Sequence, residues 1–493
     1  MKTILMKFKH IFILLSFTLF FLVSCKKYKH EEFGRSLSKA FKSKAYKDFD
    51  TAAYYSVFAE QLKKEIRQVH HPKWLNKIYS EEGNRLTLLG SFLLDGGLDS
   101  LSGHLSNSEV HGLNPVYFHS DDIANLLDSV KKTRFKKIEE IYPVLARLEI
   151  LSADGLINYA NILKYGAINP KKLYGRYFDS IERPDFIESQ KMLEQMDLIS
   201  FLRDLQPKNA VYTALQAEMQ KGLSGDQKER IFLNLERLRW KISDFPEKFI
   251  LVNIPEFKLR LYDNHKEALA MKVCVGATAN PPYSKNGQNH ETPVLSGTID
   301  RMQINPVWNI PKSIAGKEIM TKLVENPSYL DESNMVAYDK SGAAVNAQSV
   351  DWSSASVDDY SFKQNPGSDN SLGRVKFIFY NPYAIYLHDT PAKQMFNEKN
   401  RAVSHGCVRV EQPLKLVDFL LNDQKESEKV KSEITGSDNE SRWVKVKDPV
   451  KVYLAYYTAF ADDKDGITWV DDVYGYDPKL KAALENYLPQ TIN

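Results

Sequence analysis

SHGCVRV, at residues 404–410, places Cys407 in a small polar turn next to Gly406. His388 stands upstream, separated from Ser404 by fifteen residues. A thiol is a strong nucleophile only as the thiolate, and a nearby imidazole is the usual means of forming one near neutral pH. The spacing therefore predicts that Cys407 is a nucleophile and that His388 is its general base and acid.

Strand-forming residues flank both candidates. Residues 375–380 and 384–387 precede the histidine, and alternating valines follow the cysteine. Both side chains are therefore expected on short loops at strand ends, where a rigid scaffold holds them in place. Gly406 lets a substrate approach the backbone closely, so the amides around Gly406 and Cys407 are candidates for an oxyanion hole.

Two other interpretations of these residues stay open. A single cysteine is often a small buried hydrophobe, although this turn is too polar and glycine-rich for ordinary core. His388, His405 and Cys407 are also possible zinc ligands. A zinc site would lack a fourth ligand at a useful spacing, and His405 and Cys407 could coordinate together only with unusual backbone geometry. The sequence therefore predicts no metal and no organic cofactor.

The whole pattern, from His388 through the SHGCVR stretch, resembles the signature of the L,D-transpeptidases, whose catalytic domain is called the YkuD type. Other stretches resemble the long, scaffold-containing branch of that family. They are NLERLRW at 234–240, GRVKF at 373–377, YLHDTP at 386–391, RVEQP at 409–413 and YTA at 457–459.

The resemblance implies an α+β fold, with a helical N-terminal scaffold domain and a mostly β catalytic domain that carries an inserted lid. It also implies a cysteine acyltransferase of peptidoglycan biosynthesis, with a role in cell wall biogenesis and cell shape. Such an enzyme forms an acyl-enzyme with stem tetrapeptides, releases D-alanine and makes 3-3 cross-links. Carbapenem-type β-lactams are expected to acylate Cys407, because they mimic the acyl donor.

Further site residues follow from the resemblance. The backbone carbonyl of Asp389 is expected to orient the His388 imidazole. Ser404 and His405 are expected to support the turn, and His405 could equally be a packing residue.

Three residues are predicted to bind substrate. Arg409 could pair with a substrate carboxylate, or it could form a structural salt bridge. Trp308, in the stretch that begins at Asn305, is expected to line the donor groove together with Asn305, although an aromatic residue there could also be core.

Two other functions use the same sequence features. Water or a free D-amino acid could resolve the acyl-enzyme, which would make the protein a carboxypeptidase, endopeptidase or exchange enzyme. A non-catalytic, lipid-tethered wall-binding protein is the alternative from a different class. It predicts the loss of one member of the catalytic pair, yet both His388 and Cys407 are present.

Residues 1–24 are predicted to be a lipoprotein signal peptide. Three lysines precede an apolar run at 11–23, which is too short to span a bilayer comfortably. The run ends in LVSC, which resembles a lipobox with Cys25 as the lipidated residue; a simple signal peptide or a short anchor helix is the alternative. The protein is expected in the cell envelope, facing the periplasm and anchored by lipid. Lys26 favours the outer membrane, because it is not the acidic retention residue of some inner-membrane lipoproteins.

Residues 25–49 are predicted to be a basic flexible tether, since 26–47 hold eight Lys or Arg against two Glu. Removing residues 1–24 takes away three lysines and no acids, so the formal net charge falls from +3 to 0. This balance does not point to nucleic acid. The expected partners are peptidoglycan stem peptides and the membrane.

The rest of the chain is predicted to form two domains. Residues 50–245 are expected to be the helical scaffold, which ends in a helix opened by a capping box at 224–227. Residues 246–493 are expected to be the catalytic domain, with 312–371 as the inserted lid or, alternatively, as a surface insertion without that role. Cys274 lies in an alternating strand and is expected to be a buried, inert thiol, although a bridge to Cys407 is an open alternative.

Overall fold

The computed structural model describes residues 30–80, 86–175, 182–240, 245–285, 287, 289–462 and 466–489. The predicted signal peptide, the predicted lipidation site Cys25 and residues 26–29 lie outside the described residues. The chain divides into two compact units. The first comprises residues up to 108, 115–161 and 184–206, and the second comprises 109–114, 162–183 and the chain from 207 onward.

The N-terminal half is helical. Its α-helices are α1 His30–Ala40, α2 Thr51–Glu65, α3 Pro72–Ser80, α4 Thr87–Phe92, α5 Gly97–Ser106, α6 Ser120–Lys132, α7 Tyr142–Tyr165, α8 Pro170–Tyr174, α9 Phe186–Leu193, α10 Leu198–Leu205, α11 Ala210–Met219 and α12 Gly225–Arg239. The long helix α7 is the core of the first unit, because nearly all of its residues from 145 to 160 are buried. None of the helices in the described part of the chain has both the length and the apolar character that a membrane span requires.

The predicted flexible tether is wrong from residue 30 onward. Helix α1 buries Phe33 and Leu37, which lie four positions apart on one face. The Phe33 ring packs edge-on against Phe49, with ring centres 5.3 Å apart. The buried Tyr46 hydroxyl donates a hydrogen bond to the Val130 carbonyl at 2.6 Å. These apolar contacts anchor a segment whose many lysines had suggested a solvated chain.

The second unit contains the β-sheet. Its strands are β1 Phe249–Asn253, β2 Lys258–Asp263, β3 Lys266–Gly276, β4 Leu295–Ile304, β5 Trp308–Ile310, β6 Met335–Tyr338, β7 Ala344–Val345, β8 Ser361–Gln364, β9 Val375–Phe379, β10 Leu387–His388, β11 Ala402–Ser404, β12 Val408–Val410, β13 Arg442–Ala455, β14 Ala459–Asp462 and β15 Gly466–Trp469. Nine of these form one sheet in the order β11-β3-β12-β10-β9-β4-β13-β1-β2. Because β2 also pairs with β3, eight of the nine strands close into a ring.

The two faces of this sheet have different partners. One face is the main core, where side chains such as Met302, Phe377 and Val408 are fully buried. On the other face, part of the sheet, including Leu251 and Tyr453, packs against helices α11 and α12. The remaining helices of this unit are α13 Lys312–Ile314, which leads through a π-helical turn at Ala315–Ile319 into α14 Met320–Glu325, then α15 Tyr329–Glu332, α16 Pro413–Leu421, α17 Gln424–Thr435 and α18 Tyr476–Ala483.

Helix α12 belongs to the unit that holds the sheet. The predicted capping box is confirmed, because Ser224 and Gln227 bond to each other's backbone amides. The helix buries Leu233 in the main core and Leu235 against the opposite face of the sheet. The sequence had suggested one boundary after residue 245, whereas the second unit includes the chain from 207 onward and also residues 109–114 and 162–183.

Residues 308–364 form a small subdomain inside the second unit, here called the cap subdomain. Its four strands pair in the order β5-β8-β6-β7. The sequence had suggested an inserted lid or a surface insertion at 312–371, without predicting a core of its own. The subdomain instead has a compact core, which comprises Ile310, Ile314, Ala315, Ile319, Met320, Leu323, Leu330, Met335, Ala337, Trp352 and Phe362.

Candidate active site

Three adjacent strands place three basic side chains in one row. Lys376 in β9 lies opposite His388 in β10, and His388 lies opposite Arg409 in β12. Residues that are directly opposite in a sheet project from the same face. The alternate residues Phe377 and Leu387 point into the main core. The row therefore lies on the face of these strands that is turned away from the core.

The turn that carries Cys407 is held by its own hydrogen bonds. Gly406 has a φ of +112°, a conformation that favours glycine. The Ser404 hydroxyl donates to the Cys407 carbonyl at 2.6 Å, and its oxygen accepts from the Gly406 amide at 3.1 Å. The Thr292 hydroxyl donates to the Gly406 carbonyl at 2.8 Å. In this conformation the Gly406 amide is thus already used and cannot donate to an oxyanion as well.

The Cys407 thiol is partly buried. Burial raises its pKa to about 11, while hydrogen bonds from the backbone and the hydroxyl of Tyr386 act in the opposite direction. The positive charges of Lys376 and Arg409 also lower the thiol pKa. The site therefore supplies donors and charges that favour the thiolate, although burial keeps the resting thiol protonated.

The His388 imidazole is buried and oriented by the chain next to it. Its Nδ1 lies 2.5 Å from the Asp389 carbonyl oxygen. A carbonyl only accepts, so Nδ1 carries the proton and Nε2 of the neutral ring is an acceptor. Burial, and after it the charge of Arg409, lower the pKa of His388 to about 3. The imidazole is therefore neutral near pH 7 and able to take up a proton.

The Asp389 carboxylate fixes the loop that presents this carbonyl. It accepts a hydrogen bond from the Arg374 amide at 2.9 Å and pairs with the Lys393 ammonium at 2.5 Å. Gly373 approaches it so closely that a β-carbon there would lie 2.4 Å from an Asp389 carboxylate oxygen. The GRVKF and HDTP stretches thus contact each other beside the imidazole.

Tyr386 contacts both members of the predicted catalytic pair. Its ring lies edge-on to His388, with ring centres 5.7 Å apart. Its hydroxyl bonds to the Cys407 sulfur and accepts a hydrogen bond from the Trp308 side chain. Tyr386 was missed as a site residue, although its position two residues before His388 in a strand places both side chains on one face.

Arg409 and His405 lie on either side of Cys407 in the sequence and differ in their partners. No carboxylate of the described residues pairs with Arg409; burial lowers its pKa, and the thiols of Cys274 and Cys407 act in the opposite direction. The alternative of a structural salt bridge at Arg409 thus finds no support there. His405 is exposed, and its Nε2 lies 2.5 Å from a carboxylate oxygen of Glu318 in the cap subdomain.

The two predicted groove residues are placed differently. Trp308 is partly buried in strand β5, and its side chain reaches the Tyr386 hydroxyl. Asn305 is buried, and its side-chain amide donates to the carbonyls of Asp438 at 3.0 Å and Glu440 at 3.3 Å. Its amide nitrogen therefore holds a distant loop, and the substrate-binding position predicted for Asn305 does not agree with this geometry.

Cys274 and Cys407 are both free thiols, so the alternative of a bridge between them is excluded in this structure. Within the described ranges, the histidines and acids close enough to hold a metal are His70, His119 and Asp154 of the helical unit. The Asp154 carboxylate there accepts hydrogen bonds from the His70 amide and from His119 Nε2, which accounts for the cluster without an ion.

Comparison with known families matches residues 247–452 to an L,D-transpeptidase catalytic domain of the YkuD type and residues 73–219 to a scaffold domain. A similar protein from Haemophilus influenzae (strain ATCC 51907 / DSM 11121 / KW20 / Rd) bears the name "Putative L,D-transpeptidase". The two sequences are 31% identical over 325 residues. The match covers 64% of this chain, which spans 63% of the length of that relative.

Proposed function

We propose that this protein, whose residues 247–452 match the L,D-transpeptidase catalytic domain, is a cysteine acyltransferase that makes 3-3 cross-links between peptidoglycan stem peptides. The observation that carries the proposal is the arrangement around Cys407. The thiol lies in a braced turn, bonds to the Tyr386 hydroxyl and is one strand away from a neutral His388 that Asp389 orients.

The first step is acylation of Cys407. As the sulfur attacks the carbonyl of the third stem residue, the thiol proton passes to Nε2 of His388, and the new carbon–sulfur bond gives a tetrahedral intermediate. The carbon–nitrogen bond to the terminal D-alanine then breaks, and the imidazolium returns the proton to the leaving amine. The thiol and the imidazole both start neutral, so the proton moves only when the substrate is attacked.

The negative charge that develops on the substrate oxygen needs hydrogen-bond donors. The Gly406 amide is used by Ser404, whereas the Cys407 amide forms no hydrogen bond within the described part of the chain. We therefore assign the main oxyanion donor to the Cys407 amide. Gly406 contributes by its backbone conformation and by leaving the approach to the turn free of a side chain.

The second step releases the acyl group to an acceptor. The side-chain amine of a second stem attacks the thioester, loses a proton to His388 Nε2 and restores the thiol, which leaves an amide cross-link. Trp308 lies at the Tyr386 hydroxyl and is placed to line the donor groove. Arg409 provides a positive charge that no carboxylate in the described part of the chain neutralises, as the recognition of a substrate carboxylate requires.

The cap subdomain is proposed to act as the lid of this groove. It supplies Trp308 to the site and contacts the catalytic turn through the ion pair between Glu318 and His405. Such a lid would exclude water from the thioester and so favour cross-linking over hydrolysis.

The protein is proposed to act in the periplasm, held to the membrane by a lipid on Cys25. The sequence pattern at residues 1–25 supports this anchor. Metabolic labelling with a radioactive fatty acid tests it: the wild-type chain should carry label, and a Cys25→Ser variant should carry none.

The activity itself is tested with the purified protein and a disaccharide tetrapeptide, with the products read by mass spectrometry. We expect a dimer that has lost one D-alanine. Cys407→Ala and His388→Ala should each reduce product formation by at least about 10³-fold, since residues that act as one catalytic unit give large losses. Incubation with a carbapenem should add its mass to the wild-type chain and not to Cys407→Ala.

Cys274→Ala is the matched control, because it removes the other described cysteine, which is fully buried in β3. This variant should keep the activity and the carbapenem adduct. Tripeptide without dimer would show hydrolysis and contradict the cross-linking proposal. Absence of both turnover and adduct in a folded wild-type protein would favour the wall-binding alternative.

A further inference from the structure

Lys376 occupies an unusual position beside the candidate active site. Its ammonium nitrogen lies 5.6 Å from the centre of the Tyr386 ring and 5.9 Å from the centre of the Trp443 ring. Tyr386 bonds to the Cys407 sulfur, and Trp443 is 54% exposed. The lysine therefore lies between the Tyr386 ring and the exposed Trp443 ring of β13.

Among the residues that the structure describes, no acidic side chain balances the charge on Lys376. No carboxylate of the described residues forms an ion pair with Lys376, and the side chain is partly buried. Burial lowers its pKa, and the one titratable group that raises it is Cys407. A partly desolvated cation of this kind is favourable when a bound anion completes the pair.

The chemistry of the proposed donor identifies such an anion. A stem tetrapeptide ends one residue after the bond that Cys407 attacks, so its terminal carboxylate lies a few bonds from the scissile carbonyl. Lys376 is close enough to Cys407 for the two to influence each other's charge. The terminal carboxylate of a tetrapeptide whose scissile carbonyl lies at the Cys407 sulfur is therefore within reach of the Lys376 ammonium. One further residue would move the carboxylate by about 3.5 Å.

We propose that Lys376 binds the C-terminal carboxylate of the acyl donor and thereby selects stems that end one residue after the scissile bond. This inference rests on the proposed function and adds a specificity-determining residue to it. Arg409 is less suited to this contact, because its Nε is buried and it lies opposite Cys274 on the far side of His388. Lys376 faces the open side, where Trp443 is exposed.

The experiment compares two donors that differ only in the terminal group, a tetrapeptide with a free carboxylate and the same peptide as a C-terminal amide. We expect the wild-type protein to release the terminal residue from the acid with a kcat/KM about 10- to 100-fold higher than from the amide. Lys376→Met keeps the aliphatic stem between the two rings and removes the charge. Because it also removes a positive charge that lowers the Cys407 pKa, it should slow both donors to some extent and lose the additional factor on the acid alone. Lys376→Arg, which restores the charge, should restore the preference for the acid.

Lys363→Met is the matched control, because Lys363 is also partly buried and lies over an aromatic ring, that of Tyr338, at 4.8 Å, but in the cap subdomain. It should keep the preference for the acid. Equal losses of Lys376→Met on both donors would overturn the inference, as would a wild-type protein that does not distinguish them. A donor amidated only at its side-chain carboxyl group should react as fast as the acid. A lower kcat/KM for this donor would show that Lys376 contacts the side-chain carboxylate instead of the terminal one.

Binding to Cys407→Ala separates this inference from the proposed function. Calorimetry should show that Cys407→Ala binds the acid about 10-fold more tightly than the amide, and that the added Lys376→Met change abolishes the difference. If the wild type binds the acid more tightly than the amide but turns over neither donor, the carboxylate site is supported and the proposed reaction is contradicted. If it turns over both donors equally, the reaction stands and the carboxylate site falls.

Discussion

At the scale of single residues, Gly373 affects the orientation of the His388 imidazole through its close contact with Asp389. Its φ of +62° is costly for other residues, and a β-carbon there would meet the Asp389 carboxylate at 2.4 Å. Asp389 in turn provides the carbonyl that accepts from His388 Nδ1. A glycine without any catalytic group is thus expected to matter for the orientation of the base.

We predict that Gly373→Ala lowers kcat by at least about 10-fold, because the displaced Asp389 no longer holds the His388 ring in place. The measurement is the rate of D-alanine release from a tetrapeptide. Gly342→Ala is the matched control, since Gly342 has a φ of +83° and its β-carbon would have no atom within 4 Å. Both changes should reduce stability by about 1 kcal/mol through backbone strain, and only Gly373→Ala should affect the rate. Equal rates for the two variants would contradict the role of Asp389.

The candidate site could be found from the sequence only in part. The nucleophile and base candidates stand in motifs, so Cys407 and His388 could be named directly. Lys376 could not, because its place in the site depends on which strands are neighbours and in which register, whereas Tyr386 could have been found from its position two residues before His388. The same limit explains Asn305, whose partners Asp438 and Glu440 lie more than 130 residues away in the chain.

At the scale of elements, apolar periodicity predicted the central strands and helix α12 well, and it failed where charge obscured it. Residues 30–49 read as a basic tether because lysines dominate them. Phe33 and Leu37 lie one helical turn apart and are buried despite this composition. The core of the cap subdomain was not predicted either, since its residues are spread over several short helices, turns and strands whose pairing the sequence does not show.

The cap subdomain contacts the catalytic turn through a carboxylate oxygen of Glu318, which lies 2.5 Å from His405 Nε2. We predict that Glu318→Gln increases the rate at which a bulky thiol reagent modifies Cys407 by about 2- to 5-fold, which corresponds to the loss of an exposed ion pair worth up to about 1 kcal/mol. A small reagent such as iodoacetamide should react at nearly the same rate with both proteins. The rates are measured by mass spectrometry.

The control for this change is Lys312→Met, which removes the ion pair to Asp358 within the cap subdomain. That pair is also exposed and does not contact the catalytic turn. The rates of Lys312→Met should therefore equal those of the wild type. If Lys312→Met accelerated the bulky reagent as much as Glu318→Gln, the effect would reflect a loosened subdomain and the contact between Glu318 and His405 would not act as a latch.

At the scale of the whole molecule, the α+β fold class predicted from scattered motifs is confirmed, and residues 247–452 and 73–219 match models of an L,D-transpeptidase catalytic domain and of a scaffold domain. The structure shows why two of those motifs occur together. Asn234 of NLERLRW donates to the Thr458 hydroxyl at 2.9 Å and accepts from the Thr458 amide at 3.0 Å. Each motif satisfies buried polar groups of the other, over a separation of more than 220 residues.

Each of the two units also contains a buried titratable group with a shifted pKa, and the two pKa values shift in opposite directions. Burial raises the pKa of Glu149 in the helical unit from 4.5 to about 7. Burial lowers the pKa of His388 in the sheet unit from 6.5 to about 3. The folded form of the first unit therefore prefers the protonated carboxyl, and the folded form of the second prefers the neutral imidazole.

Linkage between folding and proton binding gives the sign of each effect. The Glu149 contribution to stability is complete below pH 4.5 and is lost as the pH rises through about 7. The His388 contribution is complete above pH 6.5 and is lost as the pH falls towards about 3. Between pH 4.5 and 6.5 an increase in pH should therefore weaken the helical unit and strengthen the sheet unit, each by up to about 1.4 kcal/mol per pH unit.

Hydrogen exchange followed by mass spectrometry at pH 5.0 and 6.5, corrected for the intrinsic exchange rate, tests this prediction in one sample. Protection of helix α7 should fall with increasing pH in the wild type, and Glu149→Gln should remove this dependence without changing that of strands β9 and β10. His388→Gln should remove the pH dependence of strands β9 and β10 without changing that of helix α7, so each variant is the control for the other. If both units responded to pH in the same direction, or if both variants kept the wild-type dependence, burial of these two groups would not govern the acid response of the protein.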